Sequence, residues 1–240
     1  MTGQDLDNEL AADLAARAGA LLLALRCDGG FEGRALGDAG DARANDLILN
    51  ALAQARPADA VLSEESADDP ARLAASRVWI IDPLDGTREY CEGRDDWAVH
   101  VALAENGVPT AGAVAIPARN LVLRADTPPR PTPPADPPRL LSSRTRPCPV
   151  AAAAAERLDA RLIPMGSAGA KAAAVIMGEA DAYIHSGVQS EWDNCAPVAV
   201  AQAAGLHCSH LDGTPLRYNR ADVRVDGLLI CHPELVKRLL

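Results

Sequence analysis

Val78 to Tyr90 reads VWIIDPLDGTREY. Four apolar residues, rich in β-branched types, run straight into Asp82, and a second aspartate follows three residues later, backed by Gly86 and Thr87. A short apolar run that ends in acid reads as a buried strand delivering its carboxylates to a sheet end. Because Pro83 cannot donate to a sheet ladder, the chain is expected to leave the strand there and turn tightly. Such a turn would bring Asp82 and Asp85 to one side, with the Leu84 carbonyl between them.

Three chemistries use aspartates in this setting. An EF-hand calcium loop needs oxygen ligands at alternate positions and glycine at the sixth, but from Asp82 those positions are Leu84, Gly86 and Thr87. A haloacid-dehalogenase-type phosphatase would place its two aspartates two residues apart, and here the interval is three. A divalent-cation cluster fits the spacing. Paired carboxylates raise one another's pKa, and a hard cation such as Mg²⁺ removes that penalty. On this stretch alone, acids solvated at a strand end remain the lesser alternative.

Further acids point toward the cation reading. Glu64 and Glu65 end the preceding strand in VLSEES, and Asp193 in EWDNCAP reads as a helix N-cap, with Pro197 in the first turn and Gly205 at the C-terminal stop. Glu64, Asp82, Asp85 and Asp193 thus lie at the ends of three elements, a pattern suited to two or three shared cations.

The whole chain sets the frame. It has 240 residues, 48% hydrophobic but with only seven aromatics, which favours aliphatic helix-on-sheet packing in an α/β or α+β class. A formal net charge of −10 argues against a nucleic-acid polymer as partner, and leaves room for a small phosphorylated ligand reached through cations. No apolar run approaches the roughly 18 residues of a membrane span, and the acidic start MTGQDLDNEL is unlike a signal peptide, so no membrane association and a cytoplasmic location are expected. Six dispersed cysteines without a CxxC pair read as reduced thiols. His207, Cys208, His210, Cys231 and His232 tempt a zinc reading, but they fall in two strand-like segments where neighbours face opposite sides.

Helices are expected over residues 7–26 and 41–56, then short strands in DAVLSEES and RVWIIDP, and a meander over 97–126 with Asn106-Gly107 at its first turn. Residues 127–138, TPPRPTPPADPP, hold seven prolines and read as a spacer between an N-terminal α+β region (1–126) and a C-terminal α/β region (139–240). After it come strand RLLSS, helix CPVAAAAAERLDA, strand RLIPM, a helix starting near Ser167 and stopped by Gly178, and strand DAYIH.

SEES, WIIDPLDGT and EWDNCAP together resemble the signature acids of the inositol monophosphatase and fructose-1,6-bisphosphatase superfamily of lithium-sensitive, magnesium-dependent phosphatases. The likeness runs from about Leu10 to Ile230. GDARAN, GRDDWAVH, GSAGAKAAAVI and LDGTPLRYN, in that order, are most similar to its actinobacterial CysQ-type bisphosphate nucleotidases. The resemblance implies a layered αβαβα sandwich, a homodimer, and two or three Mg²⁺ held by Glu64, Asp82, the Leu84 carbonyl, Asp85 and Asp193. Thr87, oriented by Asp41, would sit with Glu64 around the water that attacks phosphorus, so no phosphoenzyme is expected. It further implies hydrolysis of 3′-phosphoadenosine 5′-phosphate in sulfate assimilation, with inositol phosphate or fructose 1,6-bisphosphate as alternative substrates. A metal- or nucleotide-sensing protein without turnover is the non-enzyme alternative, and its mark would be a missing ligand or a missing Thr87.

For the substrate, the turn amides of Gly86 and Thr87 should face phosphate, and Gly166 and Ser167 start a helix whose free amides suit an anion, with Lys171 one turn on. Lys171 can equally sit on a solvated helix face. Ser143, Arg144 and Arg146 of SSRTR lie in a strand-to-helix loop, and Arg88 could pair with a second phosphate. Where many inositol monophosphatases carry a substrate-binding glutamate, this chain has His185 or Ser186.

Overall fold

A computed structural model describes residues 2–146 and 148–240. The chain begins with two long helices, α1 (Gly3–Cys27) and α2 (Gly33–Ala55). Thr2 and Asp5 close a reciprocal capping box on α1, which explains a start four residues earlier than apolar spacing alone suggests. α2 likewise starts eight residues before expectation, at a glycine, so Asp41 lies inside the helix.

Five strands follow: β1 (Ala60–Ser63), β2 (Arg77–Asp85), β3 (Ala98–Glu105), β4 (Val108–Ile116) and β5 (Leu121–Arg124), with the short helix α3 (Thr87–Cys91) after β2. They pair in chain order, with β1–β2 parallel and the rest antiparallel. The β3–β4 turn has both Asn106 and Gly107 at positive φ, the conformation an Asn-Gly hairpin turn demands. The proline-rich residues 127–138 carry no helix or strand, and Asp181 fastens them by accepting the Ala135 and Arg139 amides.

The second sheet contains β6 (Arg139–Ser143), β7 (Arg161–Met165), β8 (Ala182–Ser190), β9 (His207–Ser209) and β10 (Arg224–Cys231), in the order β7-β6-β8-β10-β9. Helices α4 (Pro149–Leu158), α5 (Ala168–Ile176) and α6 (Glu191–Ala203) intervene, and α7 (Val236–Leu239) ends the chain. β8 runs five residues beyond the expected DAYIH because β10 pairs with it as far as Ser190.

Alternation along the strands builds the layers. On the first sheet, Trp79, Ile81, Val99, Val101 and Leu103 pack with α1 and α2, while Val78, Ile80, Ala98, Ala102 and Val114 face the other way, onto α5 and α6. Leu141, Tyr183, Leu228 and Ile230 of the second sheet join that same central cluster, and Leu140, Ile184 and Leu229 face α4 instead. The result is a five-layer αβαβα sandwich in which α5 and α6 serve both sheets.

Candidate active site

A bulge in β2 answers the question posed by DPLD. In a regular strand, residues three apart face opposite sides of a sheet. Here Asp82 pairs with His100 and Asp85 with Ala98, so three steps on β2 oppose two on β3. The extra residue restores parity and turns both carboxylates toward the central layer. The strand therefore continues through Pro83 instead of leaving at it, since a bulge tolerates the missing N–H. Leu84 drops its side chain into the α1/α2 cluster, and its amide donates to Asp82 Oδ1 at 3.1 Å. Gly86 then adopts φ +89°, and a Cβ there would lie 3.1 Å from the Ser167 side chain. Beyond it, the Thr87 hydroxyl donates to the Leu84 carbonyl at 3.2 Å.

The remaining acids arrive from other elements. Parallel pairing sets Ser63 beside Ile81, and the Glu64 amide donates to the Ile81 carbonyl, so Glu64 leaves β1 next to Asp82. Asp193 comes from α6, but not as its N-cap. Ser190 is the cap, Asp193 is the third helical residue, and it accepts the Ser190 amide in a capping box. Pro197 accordingly falls inside the helix, beyond the first turn. Asp41 reaches the site because α2 lies very close: a Cβ on Gly37 would come within 2.7 Å of Thr87 Cγ2, and one on Gly40 within 3.2 Å of Leu84.

Oxygens of Asp82, Asp85 and Asp193 all lie within 4.8 Å of one another. Burial, followed by repulsion from Glu64, Asp85 and Asp193, pushes the Asp82 carboxyl well above the usual carboxylate range. Burial and then Asp85 raise Asp193 to about 6. Glu64 is exposed at the cleft mouth, yet the protein crowded behind it, then Asp193, Asp41 and Asp85, lift it to about 7. Asp41 is raised to about 7, by burial first and then Glu65 and Asp38, against the Thr87 hydroxyl, which lowers it.

Other buried acids are compensated, Asp7 by Arg56 and Arg77, Asp181 by Arg139, and Glu191 by the Asn219 and Arg220 amides. Among the described residues, Glu64, Asp82 and Asp193 form no ion pair within 4.0 Å. An all-oxygen donor set with uncompensated negative charge fits a hard divalent cation, with Glu64, Asp82, the Leu84 carbonyl, Asp85 and Asp193 as the groups to hold it. The zinc alternative is not supported, since Asp82, Asp85 and Asp193 form the one cation-compatible cluster among the described residues.

Asp85 is held from behind. The Ser167 hydroxyl and the amides of Ala168 (3.2 Å) and Gly169 (2.6 Å) donate to it, and His100 Nε2 stands 3.4 Å away. The N-terminus of α5 is thereby spent on a carboxylate of the cluster, and the Gly166 amide on Asp96, whereas the sequence suggested free amides for phosphate. Lys171 is buried, not solvated. Its ammonium donates to the Gly166 carbonyl at 3.0 Å and to that of Ser167, lies over the Tyr183 ring, and has its pKa lowered by burial to about 8.

One cleft of about 170 Å³ gathers Glu64, Asp82, Leu84, Asp85, Gly86, Thr87, Ser143, Arg146, Gly166, Ser167, Lys171 and Asp193. Arg88 is exposed and does not line it, because adjacent residues of α3 point about 100° apart and Thr87 takes the inward direction. Arg144 is likewise outside the lining, its guanidinium taken by Glu89 and Glu92. Thr145 of SSRTR lines it too; lining residues not anticipated are Glu89, Ala168, Tyr183 and Gln189, and His100 stands behind Asp85. Arg146 and His185 also border a side pocket of about 280 Å³ with Cys148, Ser186, Gly187 and Val188.

A five-layer sandwich with an oxygen-rich cation cage where its two sheets meet defines a metal-dependent hydrolytic architecture. The chain belongs to the inositol monophosphatase family, whose profile matches residues 11–127 and 140–239, and that family is metal-dependent. It is 53% identical to the 3′-phosphoadenosine 5′-phosphate phosphatase of Mycobacterium bovis across 93% of this chain and 88% of that protein. It is 30% identical to the 3′(2′),5′-bisphosphate nucleotidase CysQ of Escherichia coli K12, over 75% of this chain and 78% of that one. The crystal structure of CysQ from Bacteroides thetaiotaomicron superposes with TM-score 0.80 at 26% identity, covering 94% of this chain and 96% of the other.

Proposed function

We propose that the protein is a Mg²⁺-dependent phosphatase that removes the 3′-phosphate of 3′-phosphoadenosine 5′-phosphate, leaving AMP and inorganic phosphate. The observation that carries this reading is the convergence of Asp82, Asp85 and Asp193 within 4.8 Å, without basic partners for Asp82 and Asp193, in a cleft that also presents Arg146. Relatives at 50–53% identity that bear the name of this activity support the substrate.

Two or three Mg²⁺ ions, when bound, supply Lewis acidity, a more acidic water and charge stabilisation for the loose phosphoryl-transfer transition state. The chain's own groups do the rest. The Thr87 hydroxyl has two acceptors in reach, the Leu84 carbonyl and the Asp41 carboxylate. Donation to Asp41 leaves the threonine oxygen free to accept from the attacking water and to fix it in line with the P–O bond. Glu64, at the cleft mouth with a pKa raised to about 7, is suited to take the water's proton. Gly86 and Thr87 present the turn amides to the scissile phosphate.

Arg146 has no ion-pair partner within 4.0 Å among the described residues, and suits a second phosphate. His185 supports a bisphosphate over an inositol phosphate, because burial and the positive charge of Arg146 push its pKa down to about 4. A neutral imidazole there does not repel an anion as glutamate would. This reading includes the two-part organisation with its proline-rich spacer at 127–138, a cytoplasmic site of action and a homodimeric assembly.

Phosphate release is to be measured on 3′-phosphoadenosine 5′-phosphate, inositol 1-phosphate and fructose 1,6-bisphosphate, with Mg²⁺ titrated and Li⁺ as inhibitor. The expected order of kcat/KM puts the bisphosphate nucleotide first. Inositol phosphate in first place, or turnover that survives a chelator, would overturn the reading.

A further inference from the structure

We propose that Glu89, held by Arg144, is the specificity residue for a hydroxyl vicinal to the scissile phosphate, so that the enzyme selects ribonucleoside over 2′-deoxyribonucleoside 3′-phosphates. The inference rests on the nucleotidase reading above and deepens it.

Glu89 is a carboxylate that cation binding does not explain. It lines the same cleft as the acid cluster and stands outside the group of oxygens within 4.8 Å, but unlike Glu64, Asp82 and Asp193 it is already paired with a guanidinium. At 5% exposure it is buried, and a bare carboxylate in a phosphate cleft would repel its own substrate. Arg144 offsets that charge in part: its Nε donates to Glu89 Oε1 at 2.8 Å, while its Nη2 is shared with Glu92. The fold has also been cleared to place this group. A Cβ on Gly166 would lie 2.3 Å from Glu89 Cγ and 2.6 Å from Cδ, so only glycine lets the side chain lie where it does.

With Oε1 committed to Arg144, Glu89 Oε2 accepts no hydrogen bond among the described residues and is open to the cleft. It sits 3.3 Å from the Cβ direction of Gly86, beside the turn that presents Thr87. An ionised carboxylate oxygen can only accept. The substrate group it recognises is therefore a donor next to the phosphate under attack, and on a ribonucleoside 3′-phosphate that donor is the 2′-hydroxyl. A site built to hydrogen-bond a hydroxyl disfavours an analogue lacking it, because the acceptor is then left unpaired against the bound ligand.

The test compares kcat/KM for adenosine 3′,5′-bisphosphate and its 2′-deoxy analogue in the wild type, Glu89→Gln and Glu89→Ala, with melting temperatures as a folding control. The wild type should prefer the ribonucleotide by at least about 10-fold, from loss of one hydrogen bond to a charged acceptor. The ratio should fall several-fold in Glu89→Gln and approach one in Glu89→Ala, the deoxy substrate being little affected. Arg144→Gln should instead raise KM for both substrates and leave the ratio in place. A wild-type ratio below about 3, or a ratio unchanged in a folded Glu89 variant, overturns the inference. Should Glu89→Ala fail to fold, the isosteric Glu89→Gln decides. If the wild type hydrolyses neither nucleotide, the nucleotidase reading fails; equal hydrolysis of both sinks this inference alone.

Discussion

Replacing Asp82 by asparagine should abolish activity and at the same time stabilise the metal-free fold. Asp82 is 1% exposed and has Asp85 and Asp193 oxygens within 4.8 Å. Two full charges at that distance, in an effective dielectric of about 20, repel by about 3–4 kcal/mol. The cluster retains part of its protons at neutral pH, with Asp193 raised to about 6 and Glu64 to about 7, so the relief is smaller, about 1–3 kcal/mol. Asparagine keeps an oxygen to accept the Leu84 amide, so the bulge should survive. For a chain of 240 residues the unfolding entropy is about 0.5 kcal/mol/K, which converts the relief to a rise of about 2–6 °C in Tm. Thermal melts in chelator and in saturating Mg²⁺ read both sides: the wild type should gain from the ion, by about 2.7 kcal/mol at a hundredfold excess over Kd. Asp82→Asn should start higher and respond little. A variant that melts below the wild type in chelator would refute the repulsion argument.

Without metal, stability should fall as pH rises from about 4 to 7. Asp41 and Glu64 are raised to about 7 and Asp193 to about 6, above their unfolded values, so the native state binds more protons in that window and loses ground as they leave. Melts against pH in chelator should slope downward, and Mg²⁺ should flatten them. Thr87→Ala should lower kcat by about 10²-fold or more with little change in Tm, read by steady-state kinetics. Arg146→Ala should raise KM for the bisphosphate nucleotide by about 10-fold while leaving a substrate with a single phosphate nearly unaffected. Gly166→Ala should destabilise by about 1–3 kcal/mol in a denaturant titration, since its methyl meets Glu89.

The site was legible where chemistry is local. VWIIDPLDGT announces a buried strand ending in acids, and Glu64 follows from the parallel strand beside it. The bulge was not legible, because whether Pro83 ends a strand or sits inside one depends on β3 pairing across it. The role of Asp193 shifted by one turn for a related reason: Ser190 and Asp193 form a capping box whose serine belongs to β8 until β10 pairs with it. Arg144 looks like a phosphate ligand in SSRTR, and only the fold supplies Glu89 and Glu92, more than fifty positions away in the chain, to occupy it. Lys171 reads equally as a phosphate ligand or a solvated lysine in an alanine-rich helix until a second sheet is laid over it.

The central layer belongs to both sheets, and the acids reach the cleft from two layers: Asp82 and Asp85 from the first sheet, Asp193 from the central helix that joins β8 to β9. Any cation gripping all three would act as a rivet through the seam. Sliding one sheet against the other would pull the cage apart before it exposed much core, so catalytic competence would vanish earlier than the secondary structure, and the ion's occupancy would report how well the two halves are seated.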